Sequence, residues 1–228
     1  MIQNEKGMKN TLTNEKFPLE KLNKFERFTM TSVWPGYVGF LWALFYAVFV
    51  RFYQAAGGSV GMPGQLIDPK SGYMASYVAG VEIMFCGFAL LLLIKPWGKV
   101  VPNWVPVIGG RKIPCLLLLV PTLAGTAFLI AHGISGIITK SLHLLGVITI
   151  DFKWWSVVNV KSLVLWDLLF YEPWFIIMGI LAGLTAFHYA QTSGISILML
   201  RRGTKIYLTF LFLLSSLFVY ETISKLSI

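Results

Sequence analysis

Charge is what this sequence has least of. Asp, Glu, Lys and Arg together make up 13% of its 228 residues, about half the share in an ordinary soluble domain. That scarcity excludes a soluble globular chain. There are two cysteines, Cys86 and Cys115, both in or at apolar runs. Such positions suit small buried hydrophobes rather than a disulfide or a metal site. No CxxC, no HExxH and no Gly-rich phosphate loop ahead of a Lys is present, so the sequence offers no metal motif and no cofactor motif. Ten acids stand against nineteen bases, a net charge of +9. The excess lies mostly in polar loops, where anionic lipid accounts for it, and no basic helix or aromatic pair points to nucleic acid. No short apolar region with a small-residue cleavage site comes before the first long apolar run, so that run is expected to act as an uncleaved insertion signal.

Hydrophobic residues, by contrast, are 56% of the chain and fall in long runs. A helix needs roughly 20 apolar residues to cross a bilayer. Five stretches qualify: 36–56, 74–94, 114–138, 173–191 and 206–223. The expected fold is therefore an all-α membrane protein, a bundle of about five transmembrane helices. It comprises a tail over 1–32 and the bundle over 33–228, with membrane lipids as its surrounding partners.

Basic residues set the orientation. Thirteen of the nineteen lie in the tail, the loop between spans two and three, and the loop between spans four and five. This predicts the N-terminus inside and the C-terminus outside. Residues 139–170 interrupt the pattern. Lys153, Lys161 and Asp167 argue against a sixth span, so the region is read as an outer, partly interfacial segment rich in Trp154, Trp155 and Trp166. In the tail, Leu19, Leu22, Phe25 and Phe28 recur every three residues between Lys and Glu. They predict a short amphipathic helix on the inner membrane surface, beside the plainer reading of a disordered tail.

Ionisable groups inside a span are costly, so their depth is informative. Arg51, Glu82 and His132 lie roughly 9–12 Å below the outer ends of spans one, two and three. Glu172 sits at the outer mouth of span four and Glu221 near the outer end of span five. Asp68, Glu82, Asp151, Asp167, Glu172 and Glu221, the acids beyond the tail, all fall on or toward the outer side. This polar layer is what an outward-facing pocket requires. Each member also has a plain reading. Arg51 is able to snorkel to the interface. Glu82 needs a partner or a proton, and its similar depth makes Arg51 the expected partner. His132 is able to hydrogen-bond a neighbouring helix.

The stretch "WDLLFYEPWFIIMG" (166–179) concentrates the question. Pro173 favours a first helical position and Glu172 suits a helix N-terminus. Trp174 fits an aromatic belt. That reading leaves over Asp167, five residues earlier, with Trp166 beside it. The first outer loop, "YQAAGGSVGMPGQLIDPKSGYM", holds five glycines and two prolines between Tyr53 and Met74. It is read either as a folded loop tucked over the bundle or as a flexible linker.

"FYQAAGG" at the end of span one and "WDLLFYEPWF" at a later span resemble an uncharacterised family of small bacterial multi-pass membrane proteins. That family has a Gly-rich outer loop and an acid-Pro-Trp-Phe element. The resemblance covers Trp34 to Gln191. It implies a bacterial plasma-membrane location and supplies no function.

Three functions compete. The first is a binding protein holding a small molecule or lipid through Arg51, Glu82, His132, Asp167, Glu172, Trp166 and Trp174, with Trp154 and Trp155 as further apolar walls. The second is a membrane-embedded enzyme using Glu82 and Glu172 as general acid or base on a lipid or isoprenoid. The third is a structural or assembly protein whose polar layer locks helices together.

Overall fold

The structure, a computed structural model, describes residues 22–226. Among them are six helices: α1 (Lys24–Thr31), α2 (Trp34–Ala55), α3 (Pro69–Ile94), α4 (Cys115–Leu144), α5 (Val160–Thr192) and α6 (Ile197–Leu226). Helices α2 to α6 are each long and apolar enough to cross a bilayer. The chain thus has the all-α architecture of a multi-pass membrane protein with five spans.

Local sequence sets the helix ends. The Asp68 side chain accepts from Ser71 N–H ahead of Pro69, and the Asn159 side chain accepts from Ser162 N–H. Each occupies an orphan donor at a helix start. Helix α5 stops at Gly194, whose φ of 87° lets Gly194 N–H and Ile195 N–H reach back to Gln191 O and Ala190 O, a C-terminal turn that favours glycine.

In lipid, helices gain little from hiding apolar surface, so close packing of small residues holds them together. The buried face of α2 carries Gly36, Gly39, Ala43 and Ala47. That of α5 carries Gly179, Ala182, Ala186 and Ala190. These stripes let α5 sit centrally against α2, α3 and α4. Helix α6 leans mainly on α4. It leaves an apolar cavity of about 390 Å³ lined by Leu123, Ile130, Gly179, Gly183 and Tyr207.

Three boundaries differ from the sequence expectation. Helix α4 runs through Lys140 to Leu144, and α5 begins at Val160 rather than Pro173. Pro173 therefore lies inside a continuous helix. A proline there lacks an N–H and crowds the carbonyl four residues back. The helix answers with a π turn over Asp167–Tyr171, in which Glu172 N–H bonds Asp167 O. A second π segment, Ala47–Phe52, occupies the outer part of α2. Helix α6 starts at Ile197, so Arg201, Arg202 and Lys205 sit in its first turns rather than in a loop.

The remainder of 139–170 and the Gly-rich loop form one outer ribbon. Strand β1 (Gly64–Leu66) pairs antiparallel with β2 (Trp155–Val158), matching Gly64 with Val158 and Gln65 with Val157. The folded-loop reading thus describes this segment better than a linker does.

At the inner end, α1 docks on the bundle chiefly by the face that carries Glu26 and Thr29, and it leaves the expected Phe25–Phe28 face exposed. Leu22, Glu26 and Thr29 are buried. Polar contacts decide this. Arg201 Nε and Nη2 donate to the two Glu26 carboxylate oxygens at 2.6 and 2.8 Å. Gln191 Nε2 donates to Glu26 O at 3.0 Å, and His188 Nδ1 lies 2.8 Å from Thr29 O. The Arg201 guanidinium holds the Glu26 carboxyl below its usual range. Leu19, the remaining member of the expected stripe, lies outside the described residues.

Candidate functional site

From Glu172 to Thr192 the central helix has 21 residues, roughly 31 Å of rise, close to the hydrocarbon thickness of a bilayer. Glu172 therefore lies about one bilayer thickness from the Thr192 end of the helix, next to the π turn. The ionisable groups of the outer layer meet at this depth.

Lys140 is the hub. Its Nζ lies 2.9 Å from Glu172 Oε1 and 3.2 Å from Asp167 Oδ2. The π turn makes this possible. Residues five apart on an α-helix diverge by about 140°, whereas the i to i+5 closure of a π turn stacks them. Asp167 and Glu172 thus face the same cation. Glu172 is buried, at 3% side-chain exposure. Room for it comes from α4, where Gly136 presents no side chain: a Cβ there would lie 2.0 Å from the Glu172 carboxylate. His132, Gly136 and Lys140 follow one another at four-residue intervals along this face. His132 Nε2 stands 3.9 Å from Glu172 Oε2, beyond a hydrogen bond. Its ring is edge-on to Phe175 at 4.7 Å.

Beside the ion cluster lies an aromatic one. Tyr46, fully buried, stacks on Trp174 with centroids 3.9 Å apart and is flanked by Phe170 and Tyr171. The Arg51 guanidinium lies 5.3 Å from the Tyr46 ring centre. Among the described residues Arg51 forms no ion pair. Toward the outside, Phe45, Phe49, Val60, Trp166, Phe170 and Tyr171 line a cavity of about 220 Å³. The Gly-rich loop roofs it. Tyr171 Oη accepts from Gln54 Nε2 at 2.9 Å and points at Gly61 O, 3.4 Å away.

Five buried polar atoms of this region lack a partner at strict hydrogen-bond geometry among the described residues, Trp42 Nε1, Tyr46 Oη, Arg51 Nε, Trp174 Nε1 and Glu172 Oε2, although the Tyr46 hydroxyl and the Arg51 guanidinium face each other. Leaving such groups unpaired costs about 1–3 kcal/mol each, so each calls for a partner such as water, an ion or a ligand.

The structure brings together Arg51, His132, Asp167, Glu172, Trp166 and Trp174, six of the seven expected ligand contacts, in one region at the outer ends of α2, α4 and α5. It does not bring in Glu82. That residue is exposed on α3, and the expected Arg51–Glu82 pair is absent among the described residues. The reason is angular. The Arg51 Cβ packs against α3 at Gly80, where an added Cβ would lie 3.2 Å away. Glu82, two residues on, is rotated by about 200° from that face. Glu82 therefore supplies neither a contact nor an acid to this site. Trp154 is exposed on the ribbon, and Trp155 packs within it against Gly64. Lys140 was missed because the sequence reading ended span three at Ile138. Its spacing from His132 on one helix face was the available signal. Among the described residues no group of three or more His, Cys, Asp or Glu is arranged to hold a metal ion, and Lys140 occupies the space between the two carboxylates.

No protein-family model, curated protein or solved structure matches the chain.

Proposed function

We propose that the protein is a binding protein of the bacterial plasma membrane. Its N-terminus faces the cytoplasm, and a small molecule or lipid occupies the polar and aromatic site at the outer ends of α2, α4 and α5. One observation carries this reading: the unpartnered buried polar atoms around Tyr46, Arg51, Trp174 and Glu172. A merely structural polar layer satisfies its own members, and this one leaves donors over. The aromatic cavity beside them adds the apolar wall that a ligand site needs.

The test compares small molecules that co-purify with intact wild-type and Glu172→Gln protein, by mass spectrometry at matched amounts. A compound bound by wild type and depleted in the variant supports the reading. Identical, lipid-only profiles overturn it in favour of a second one, in which the Lys140–Asp167–Glu172 cluster serves to lock α4 to α5. That alternative is favoured by the close packing of Glu172 on Gly133 and Gly136.

A further inference from the structure

Resting on that binding-site reading, we infer that the ligand is an acidic amphiphile. Its oxyanion is received by Arg51, and its apolar body lies in the aromatic cavity between the two π segments.

The polarity of the unpartnered atoms gives the first argument. Trp42 Nε1, Arg51 Nε and Trp174 Nε1 are donors only, and Tyr46 Oη is able to donate. Glu172 Oε2 alone is purely an acceptor. A site with donors in excess takes a ligand rich in acceptor oxygens. Tyr46 is fully buried and Trp174 is 3% exposed, so bulk water does not satisfy them.

Charge gives the second. Lys140 is matched by Asp167 and Glu172, whereas Arg51 has no carboxylate partner among the described residues. The guanidinium presents a planar fork suited to carboxylate or phosphate.

The third is shape and depth. Five of the seven residues that line the cavity are aromatic, and two of them, Phe45 and Phe49, are 49% and 66% exposed on α2. The cavity is therefore open toward the bilayer, and an amphiphile reaches it sideways from the membrane. Arg51 lies four residues from the outer end of α2 at Ala55, roughly 6 Å below it. This is the depth at which the headgroup of a bilayer amphiphile meets its chain. The Gly-rich loop closes the top through Tyr171. Gly61, at φ 76°, has no room for a side chain, because a Cβ there would lie 2.1 Å from Tyr171 Oη.

The experiment titrates three probes into purified full-length protein in dodecyl maltoside: monododecyl phosphate, inorganic phosphate and dodecyltrimethylammonium. Binding is read by quenching of tryptophan fluorescence and by native mass spectrometry. Saturable binding of monododecyl phosphate is expected, weakened about tenfold or more in Arg51→Gln and less in Arg51→Lys, which keeps charge but loses the fork. Lys205→Gln, at the inner end, is expected to bind like wild type. Equal affinity of folded Arg51→Gln and wild type overturns the assignment of Arg51. If Arg51→Gln does not fold, Arg51→Lys carries the test, and an unchanged affinity there overturns the assignment in the same way. Inorganic phosphate binding as tightly as its dodecyl ester overturns the amphiphile and leaves a free oxyanion. Binding of dodecyltrimethylammonium alone, sensitive to Glu172→Gln, overturns the acidic ligand while the binding-site reading survives. No saturable binding of any probe, together with identical co-purification profiles for wild type and Glu172→Gln, overturns both.

Discussion

Replacing Lys140 with methionine tests the ion cluster most directly. Two carboxylates face this ammonium at 2.9 and 3.2 Å. At an effective dielectric of about 20, each contact is worth roughly 5–6 kcal/mol of attraction, opposed by the desolvation of all three ions. The net value of the intact cluster is therefore modest, but removing one partner is not. Methionine leaves Glu172 buried beside Asp167 with no cation, and breaking a buried pair in this way costs roughly 3–5 kcal/mol. For a chain of this size a loss of 1 kcal/mol lowers Tm by about 2–4 °C. Lys140→Met is thus expected to melt roughly 6–20 °C below wild type. The assay is thermal unfolding of the full-length protein in dodecyl maltoside, followed by tryptophan fluorescence. The double variant Lys140→Met/Glu172→Gln removes the stranded charge and is expected to recover more than half of the loss. The reasoning fails if Lys140→Met melts within about 2 °C of wild type, or if the double variant loses the sum of the two single effects.

The other predictions follow from packing, linkage and exposure. Gly136→Ala places a methyl group 2.0 Å from the Glu172 carboxylate, and this overpacking is expected to cost about 1–3 kcal/mol or more, read as a lower Tm. Glu26 has its carboxyl held low by Arg201, so its contribution to docking α1 is present at neutral pH and above the normal carboxylate range. That contribution is lost only as the pH falls below that range, through the lowered value. Measured against intrinsic exchange at each pH, the protection of amides in residues 24–31 is expected to fall in acid well before that of α5, and Glu26→Gln removes this pH dependence of protection. Glu82 lies midway along α3 on a face turned away from the bundle, where an ionised carboxylate in lipid is costly, so Glu82→Gln is expected to leave Tm unchanged or raise it. A large loss in the same melting assay would place Glu82 in a contact that the fold described above does not contain.

The five spans were legible because bilayer thickness imposes a length on apolar runs, and a composition this poor in charge leaves few alternatives. Their ends were less legible, because Lys161 and Asp167 count against a span and Arg201 marks a loop by composition, while the apolar run of span three ends at Ile138, two residues short of Lys140. A basic side chain inside a helix is tolerated once a carboxylate meets it, as Asp167 and Glu172 meet Lys140 and Glu26 meets Arg201. The partner lies far away in sequence in both cases. Position along each helix was readable from residue counts, and it set Arg51, His132 and Glu172 at one end of the bundle, where the fold also has them. Azimuth was not. Helix α3 is apolar on all sides, so no periodicity indicated which face meets α2, and Glu82 was assigned to Arg51 on depth alone. The "EPW" element misled for a related reason. Pro before an apolar run signals a helix start, but it is also compatible with a helix interior that widens by one residue per turn.

That widening has a consequence for the whole molecule. Each π turn inserts a phase offset, so the outer third of α2 and of α5 is indexed differently from the inner two thirds. A helical wheel drawn across either span mixes two faces. Deleting one residue from 168–171 would restore a uniform α-helical phase and swing everything outside it, Asp167 and the preceding strand β2 included, by about 100°. The inner bundle would keep its contacts while the site came apart. The two ends of the protein are thus separable by a single codon, and the extra residue in each span is the element on which the outer site depends.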